Sequence, residues 1–165
     1  MTGLKRITTP LAIVLIVAVA VGIGVWLLVG APRPGGRNES EGLGAWPPPS
    51  RVVALGRSAY QANCAVCHGV NGEGEPNWKT KNADGTYPAP PHDGSGHTWH
   101  HPDRVLLEIV GDGGSRFNNE TFRSRMLAWR EVLTDEEIRA VITYLKTFWG
   151  PEERAFQAKV GERSR

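Results

Sequence analysis

Two cysteines and a histidine constrain this chain more than any other feature of its sequence. The only cysteines among its 165 residues are Cys64 and Cys67, and His68 follows the second one directly. A single pair of thiols cannot build a scaffold of several disulfides. A structural disulfide between two residues this close would be strained. The three side chains are therefore candidates for chemistry.

The spacing Cys-x-x-Cys-His is typical of covalent haem attachment. Two thiols separated by two residues match the distance between the two vinyl groups of a haem. The histidine that follows then lies under the iron and supplies an axial nitrogen. The sequence therefore predicts one haem c, attached through Cys64 and Cys67 and ligated by His68.

Two other uses of such a cysteine pair fit the surrounding sequence less well. A thioredoxin-like redox site needs a strand before the motif, whereas a helical pattern precedes it here and no strand pattern of useful length occurs. A zinc site needs further ligands. The histidines of the next 40 residues could supply them, but their spacing follows no zinc pattern; they are His92, His97, His100 and His101.

The sequence around the motif predicts helices. Residues 52–63 place their apolar side chains on one helix face, and residues 102–111 form a second apolar stripe behind a proline. A third helix, 134–149, begins with a Thr-Asp-Glu-Glu capping box and is ended by Gly-Pro. We therefore expect an all-α domain over residues 51–150, followed by a charged peripheral tail at 151–165.

The N-terminal region predicts a membrane anchor. Residues 11–29 contain no charge and would span about 28 Å as a helix, close to the thickness of a bilayer core. Lys5 and Arg6 precede them, so we expect residues 1–10 to be cytoplasmic and the rest to cross. The alternative is a cleaved signal peptide. Its apolar region is usually shorter, about 7–15 residues, and Pro32 disfavours cleavage.

A flexible tether should follow the anchor. Residues 30–50 are rich in proline and glycine, which prevents a packed element. The expected protein is a single-pass protein of the cell membrane, with its folded domain on the periplasmic or outer face. Lys and Arg number 19 against 17 Asp and Glu, and this small imbalance does not indicate a nucleic-acid partner.

With the motif and the helices in place, residues 51–149 resemble the class I c-type cytochromes, specifically the small mono-haem bacterial ones. The resemblance implies an all-α fold in which the first and last helices cross at Gly56, which faces the helix that carries Tyr144 and Leu145. The residues that carry it are Gly56 and Tyr60 before the motif, Gly69 and Asn71-Gly-Glu-Gly74 after it, Met126, and the segment 133–145.

The same resemblance implies the sixth iron ligand and a support for the fifth. Met126 lies where the family places its axial methionine, and the only other methionine is Met1. The family usually has proline after that methionine, whereas this chain has Leu127. A proline carbonyl that accepts from the axial histidine would come from Pro90 or Pro91, which stand where the family has such a proline.

Further residues are candidates for the surroundings of the haem. Trp99 or a nearby histidine could donate to a haem propionate, and Trp78 and Arg125 could line the pocket, contact a propionate or lie on the surface. The histidines at 92–101 admit three further interpretations. They are a surface loop, a second metal site for an ion such as copper, or a source of a ligand that replaces Met126.

The expected function follows from two occupied axial positions. Such a haem has no open site for a substrate, so the protein would carry single electrons and would not be an enzyme. Its expected partners are membrane-bound donor and acceptor complexes and, through residues 11–29, the lipid bilayer. Two alternatives stay open. One is a haem subunit of a larger oxidase or reductase, and the other is a haem sensor or metal-handling protein that uses the histidine cluster.

Overall fold

Helices joined by long loops make up residues 46–163, which are the residues that this computed structural model describes. No strand occurs among them, so the all-α prediction is confirmed for this part of the chain. The α-helices are α1 (Ser50–Asn63), α2 (Ala65–His68), α3 (Asp103–Asp112), α4 (Asp135–Leu145) and α5 (Pro151–Arg163). Short 3-10 turns cover Thr98–His100, Gly114–Phe117 and Lys146–Phe148.

The first and fourth helices cross at Gly56, as the resemblance implies. A Cβ atom at Gly56 would overlap the carbonyl oxygen of Ala140 and would lie 2.9 Å from Cβ of Tyr144. No side chain larger than hydrogen fits between the two backbones. Glycine lowers the stability of a helix interior by about 1 kcal/mol relative to alanine, and the close helix contact accounts for its presence.

Helix α4 begins at the predicted capping box. The Glu137 N–H donates to Oγ1 of Thr134 over 3.2 Å, and the Thr134 N–H donates to the Glu137 carboxylate over 2.9 Å. This hydrogen bonding lowers the pKa of Glu137. The helix ends at Leu145, earlier than the apolar stripe predicts, and the 3-10 turn Lys146–Phe148 continues the chain to the buried Trp149.

A core of apolar and aromatic side chains fills the space between α1, α3 and α4. Tyr60 is fully buried there, and its ring makes edge contacts with Tyr144 and Phe148. Its hydroxyl donates to the carbonyl oxygen of Gly69 over 2.8 Å, which ties the core to the loop after the Cys-x-x-Cys-His motif. The buried aliphatic members are Leu106, Val110, Leu133, Ile138, Val141, Ile142 and Leu145.

The C-terminal segment forms a packed helix, whereas the sequence predicts only a charged tail. In α5 the Phe156 ring lies 5.2 Å from the Trp99 ring, and the buried Gln157 donates to the Asp103 carboxylate over 2.6 Å. Asp103 also pairs with the buried Lys146 over 2.8 Å. The segment carries many charges and no continuous apolar stripe, so its few contacts with the domain leave no periodic signal in the sequence.

The predicted anchor lies outside the residues described. Within residues 46–163, no helix combines the length and the apolar composition needed to cross a membrane. Residues 11–29 and the linker as far as residue 45 are not among those residues.

The helix crossing yields a stability prediction. Gly56→Ala should lower the free energy of unfolding by about 1–3 kcal/mol, because a methyl group has no space between α1 and α4. Denaturant unfolding of the haem-loaded protein measures this. Gly161→Ala is the matched control, since apart from the neighbouring backbone of its own helix no described atom lies within 4 Å of a Cβ at that position, and it should leave stability unchanged or slightly raised. Equal effects of the two substitutions would contradict the close crossing.

Candidate haem site

The Cys-x-x-Cys-His motif forms one tight turn at the end of α1. The Cys64 N–H donates to the Tyr60 carbonyl oxygen over 2.8 Å, and the His68 N–H donates to the Cys64 carbonyl oxygen over 2.9 Å. Gly69 follows with a φ of +79°, in the left-handed region that favours glycine, and turns the chain away. The end of α1 and this turn therefore position all three motif side chains.

Both cysteines carry unpaired thiols in the structure. Cys64 is half-buried and packs against the core, whereas Cys67 is exposed. Burial, followed by the nearby Cys67, raises the pKa of Cys64 to about 11. Cys64 is therefore a neutral thiol at neutral pH, unlike the low-pKa cysteine of a redox-active Cys-x-x-Cys site. This arrangement favours covalent attachment over a thioredoxin-like function.

The His68 imidazole is prepared to bind a metal through one nitrogen. Its Nδ1 lies 3.0 Å from the carbonyl oxygen of Pro90. A carbonyl can only accept, so Nδ1 carries the proton and donates it. Burial lowers the pKa of His68, although this hydrogen bond and the charge of Glu75 raise it. In the neutral ring Nε2 keeps its lone pair, and no group among residues 46–163 forms a hydrogen bond with it.

The hydrogen bond distinguishes between the two prolines named as candidates. Pro90 supplies the carbonyl that accepts from His68. The Pro91 carbonyl instead packs against Gly96, where a Cβ atom would overlap it. A bond of this kind fixes the tautomer and the orientation of a metal-binding histidine.

Met126 is half-buried and packs against the core cluster that Cys64 also contacts. Its carbonyl accepts from the Gly114 N–H over 3.1 Å, and its own N–H donates to Oγ of Ser124 over 3.1 Å. These bonds fix the loop to the turn after α3, although the usual proline is replaced by the exposed Leu127. Axial ligation by Met126 stays a prediction.

Trp99 carries a buried hydrogen-bond donor without an acceptor. Its Nε1 is the only buried side-chain nitrogen or oxygen among residues 46–163 that lacks a partner. Leaving such a group unsatisfied costs about 1–3 kcal/mol. The indole packs against the core and is partly exposed, as are Cys64 and Met126. A haem propionate would satisfy this donor, so the residues present fit the group.

The structure gives Trp78 and Arg125 contacts elsewhere. The Trp78 ring stacks on His97 with centroids 5.6 Å apart, and the Lys79 ammonium lies 4.9 Å from the indole centroid. Arg125 is half-exposed and lies 3.7 Å from the Glu75 carboxylate. Neither side chain makes a hydrogen bond, ion pair or ring contact with the motif among the described residues, so a role for them beside the haem stays a prediction.

The histidine cluster separates into different environments. His97 makes an edge contact with His101, and His100 lies against Trp99. Within residues 46–163, no three His, Cys, Asp or Glu side chains are arranged to hold a metal ion. The structure therefore gives no support to a second metal site there.

His92 occupies a position that the sequence analysis does not predict. Its ring stacks on the His68 ring, with centroids 4.1 Å apart and planes inclined by 22°. Burial, followed by the neighbouring His68 and His97, lowers the pKa of His92 well below its ordinary value. Two rings stacked face to face cannot bind one iron from opposite sides, so His92 is not a substitute for Met126 in this arrangement.

Comparison with known proteins decides the family. Residues 53–149 match the family model described as Cytochrome c, which is more than half of the chain. The chain belongs to the cytochrome c family. No curated protein and no solved structure matches it. Cytochrome c domains carry a covalently bound haem c, and Cys64 and Cys67 fit the attachment motif.

One signal for the His92 contact is present in the sequence. His92 follows Pro90 by two residues, so a cytochrome c loop that brings the Pro90 carbonyl to His68 also brings His92 close. The Trp99–Phe156 contact has no comparable signal, because Phe156 lies beyond the segment that the family model matches.

The attachment residues can be tested by removing both thiols. The double variant Cys64→Ala, Cys67→Ala should lose its haem on denaturing gel electrophoresis, because no thioether bond would hold it. Haem staining of the gel measures this, with the wild type as the positive control. A double variant that keeps stained haem through denaturation would contradict attachment at these residues.

Proposed function

We propose that this cytochrome c is a membrane-tethered, mono-haem carrier of single electrons, with His68 and Met126 as the axial ligands of its haem iron. Membership of the family supports electron transfer with haem. The observation that carries the ligation is the His68 ring, which donates through Nδ1 to Pro90 and whose Nε2 has no hydrogen-bond partner among the residues that the structure describes. A neutral, oriented imidazole of this kind suits iron.

Each residue of the proposed site has a separate role toward the haem. A bound haem c supplies an iron that accepts and releases one electron. Pro90 holds the His68 ring, while Met126 would contribute a thioether, a ligand that favours the reduced state and raises the reduction potential. The unsatisfied indole N–H of Trp99 would donate to a propionate of the bound haem. With His68 and Met126 both bound to the iron, no coordination position would be left for a substrate.

Exposed apolar side chains near the motif support transfer to protein partners. Val66, between the two cysteines, is 88% exposed, and Val70 follows the motif with 58% exposed. Leu127, next to Met126, is also exposed. Electron-transfer partners usually meet over small and transient interfaces, and a few exposed apolar side chains beside the attachment site fit such an encounter.

The proposed location rests on the sequence of the N-terminal region. The uncharged segment 11–29 would hold the protein in the cell membrane, with its haem domain on the periplasmic or outer face. The linker 30–50 would let the domain move between membrane-bound donor and acceptor complexes. Tethering would raise its effective concentration near them.

Removing Met126 tests the electron-carrier proposal. Met126→Ala should open the sixth coordination position, lower the reduction potential and let the reduced protein bind carbon monoxide. Absorption spectroscopy and redox titration of the full chain measure all three. Leu127→Ala is the matched control, because it alters the neighbouring exposed side chain and should behave as the wild type. A Met126→Ala protein with an unchanged spectrum and potential would contradict ligation by Met126.

The anchor is tested by the mature protein itself. The chain extracted from membranes should need detergent and should keep residues 11–29 at its N-terminus, as determined by N-terminal sequencing. A truncated protein that lacks residues 1–29 and starts at residue 30, fused to a cleavable export signal, should appear in the soluble fraction with its haem. A wild-type protein that starts near Pro32 would show that the segment is a signal peptide.

A further inference from the structure

We propose that His92 is a positioning residue for the axial histidine: its ring, held by Thr98, stacks on His68 and sets the orientation of the His68 imidazole plane. This inference rests on the part of the proposed function that makes His68 an iron ligand. It depends neither on the membrane anchor nor on the identity of the sixth ligand.

The hydrogen bond and the ring stack of His68 restrict different motions of its imidazole. The Pro90 carbonyl accepts from Nδ1 over 3.0 Å and therefore fixes one edge of the ring. A single bond at one edge still allows the ring to tilt about that bond. The His92 ring lies against the face of the imidazole, with centroids 4.1 Å apart and a 22° inclination. A flat neighbour on one face limits the remaining tilt.

The His92 side chain is itself fixed. Its Nδ1 shares a hydrogen bond of 2.9 Å with Oγ1 of the buried Thr98. This is the only side-chain hydrogen bond that His92 or Thr98 makes among the described residues. The Tyr60 ring makes an edge contact with the His92 ring, with centroids 6.2 Å apart. The His92 ring is therefore held in place against the His68 ring.

The His92 backbone is held from two further elements of the fold. Its N–H donates to the Gly72 carbonyl oxygen over 2.6 Å, and its carbonyl oxygen accepts from Nε1 of the buried Trp149 over 2.8 Å. These bonds connect the ring beside His68 to the loop after the motif and to the turn that follows α4. An aliphatic residue could fill the same space, but it could neither present a flat face nor bond Thr98.

The test compares the orientation of the axial histidine in four variants. Proton NMR of the oxidised, haem-loaded full chain in detergent reports it, because the spread of the haem methyl shifts follows the plane of the axial ring. The reduction potential is the second measurement. His92→Leu removes the flat ring and Thr98→Val removes only the hydroxyl. Thr98→Ser keeps the hydroxyl, and His101→Leu removes a histidine whose ring contacts His97 and makes no ring contact or hydrogen bond with His68 among the described residues.

We expect His92→Leu and Thr98→Val to change the pattern of methyl shifts and to move the potential, with the larger change in His92→Leu. Thr98→Ser and His101→Leu should match the wild type. A His92→Leu protein with wild-type shifts would overturn the proposal, and an unchanged Thr98→Val would overturn the role of Thr98. Should His92→Leu fail to incorporate haem, Thr98→Val and its rescue by Thr98→Ser decide the question.

The wild-type spectrum separates this inference from the proposed function. Hyperfine-shifted signals of an iron-bound histidine ring that disappear in His68→Ala would support ligation by His68. Their absence from the wild type would overturn that ligation and the positioning role with it. Signals present in the wild type but unmoved in the His92 and Thr98 variants would overturn the positioning role alone.

Discussion

The close contact between α1 and α4 at Gly56 fixes the geometry on which the haem site depends. Without a side chain at Gly56, α1 lies against the backbone of Ala140, and one turn later Tyr60 enters the core beside Tyr144. The helix ends at Asn63, so the motif begins at the edge of that core. A wider crossing would withdraw Tyr60 from its contacts, including its hydroxyl bond to the Gly69 carbonyl directly after the motif.

The loop after the motif completes the surroundings of His68 and leaves features that a cofactor would satisfy. Pro90 accepts from Nδ1, and His92 stacks on the ring. Nε2 of His68 and the buried Nε1 of Trp99 have no hydrogen-bond partner among the described residues. One is a lone pair suited to iron and the other is a donor suited to a carboxylate. A haem contains both an iron and propionate carboxylates, so the polypeptide and its cofactor are complementary in chemistry.

Features that depend on short spacings could be predicted from the sequence. The attachment motif and the Thr134 capping box each require only neighbouring residues, whereas the helix crossing at Gly56 follows only from the resemblance to the family. The choice between Pro90 and Pro91 could not be predicted from the sequence, because the carbonyl groups of adjacent residues point in different directions in the folded loop. The packing of α5 on Trp99 and the stack on His68 also depend on contacts between distant segments, which leave no periodic pattern.

Covalent haem at Cys64 and Cys67 is the central claim, and a pyridine haemochrome spectrum of the purified full chain tests it most directly. The reduced spectrum depends on whether the haem vinyl groups have been converted to thioethers. We predict the spectrum of haem c with both vinyl groups saturated, at one haem per chain. A spectrum with unsaturated vinyl groups, a haem that extracts into acidified organic solvent, or a chain without haem would contradict it.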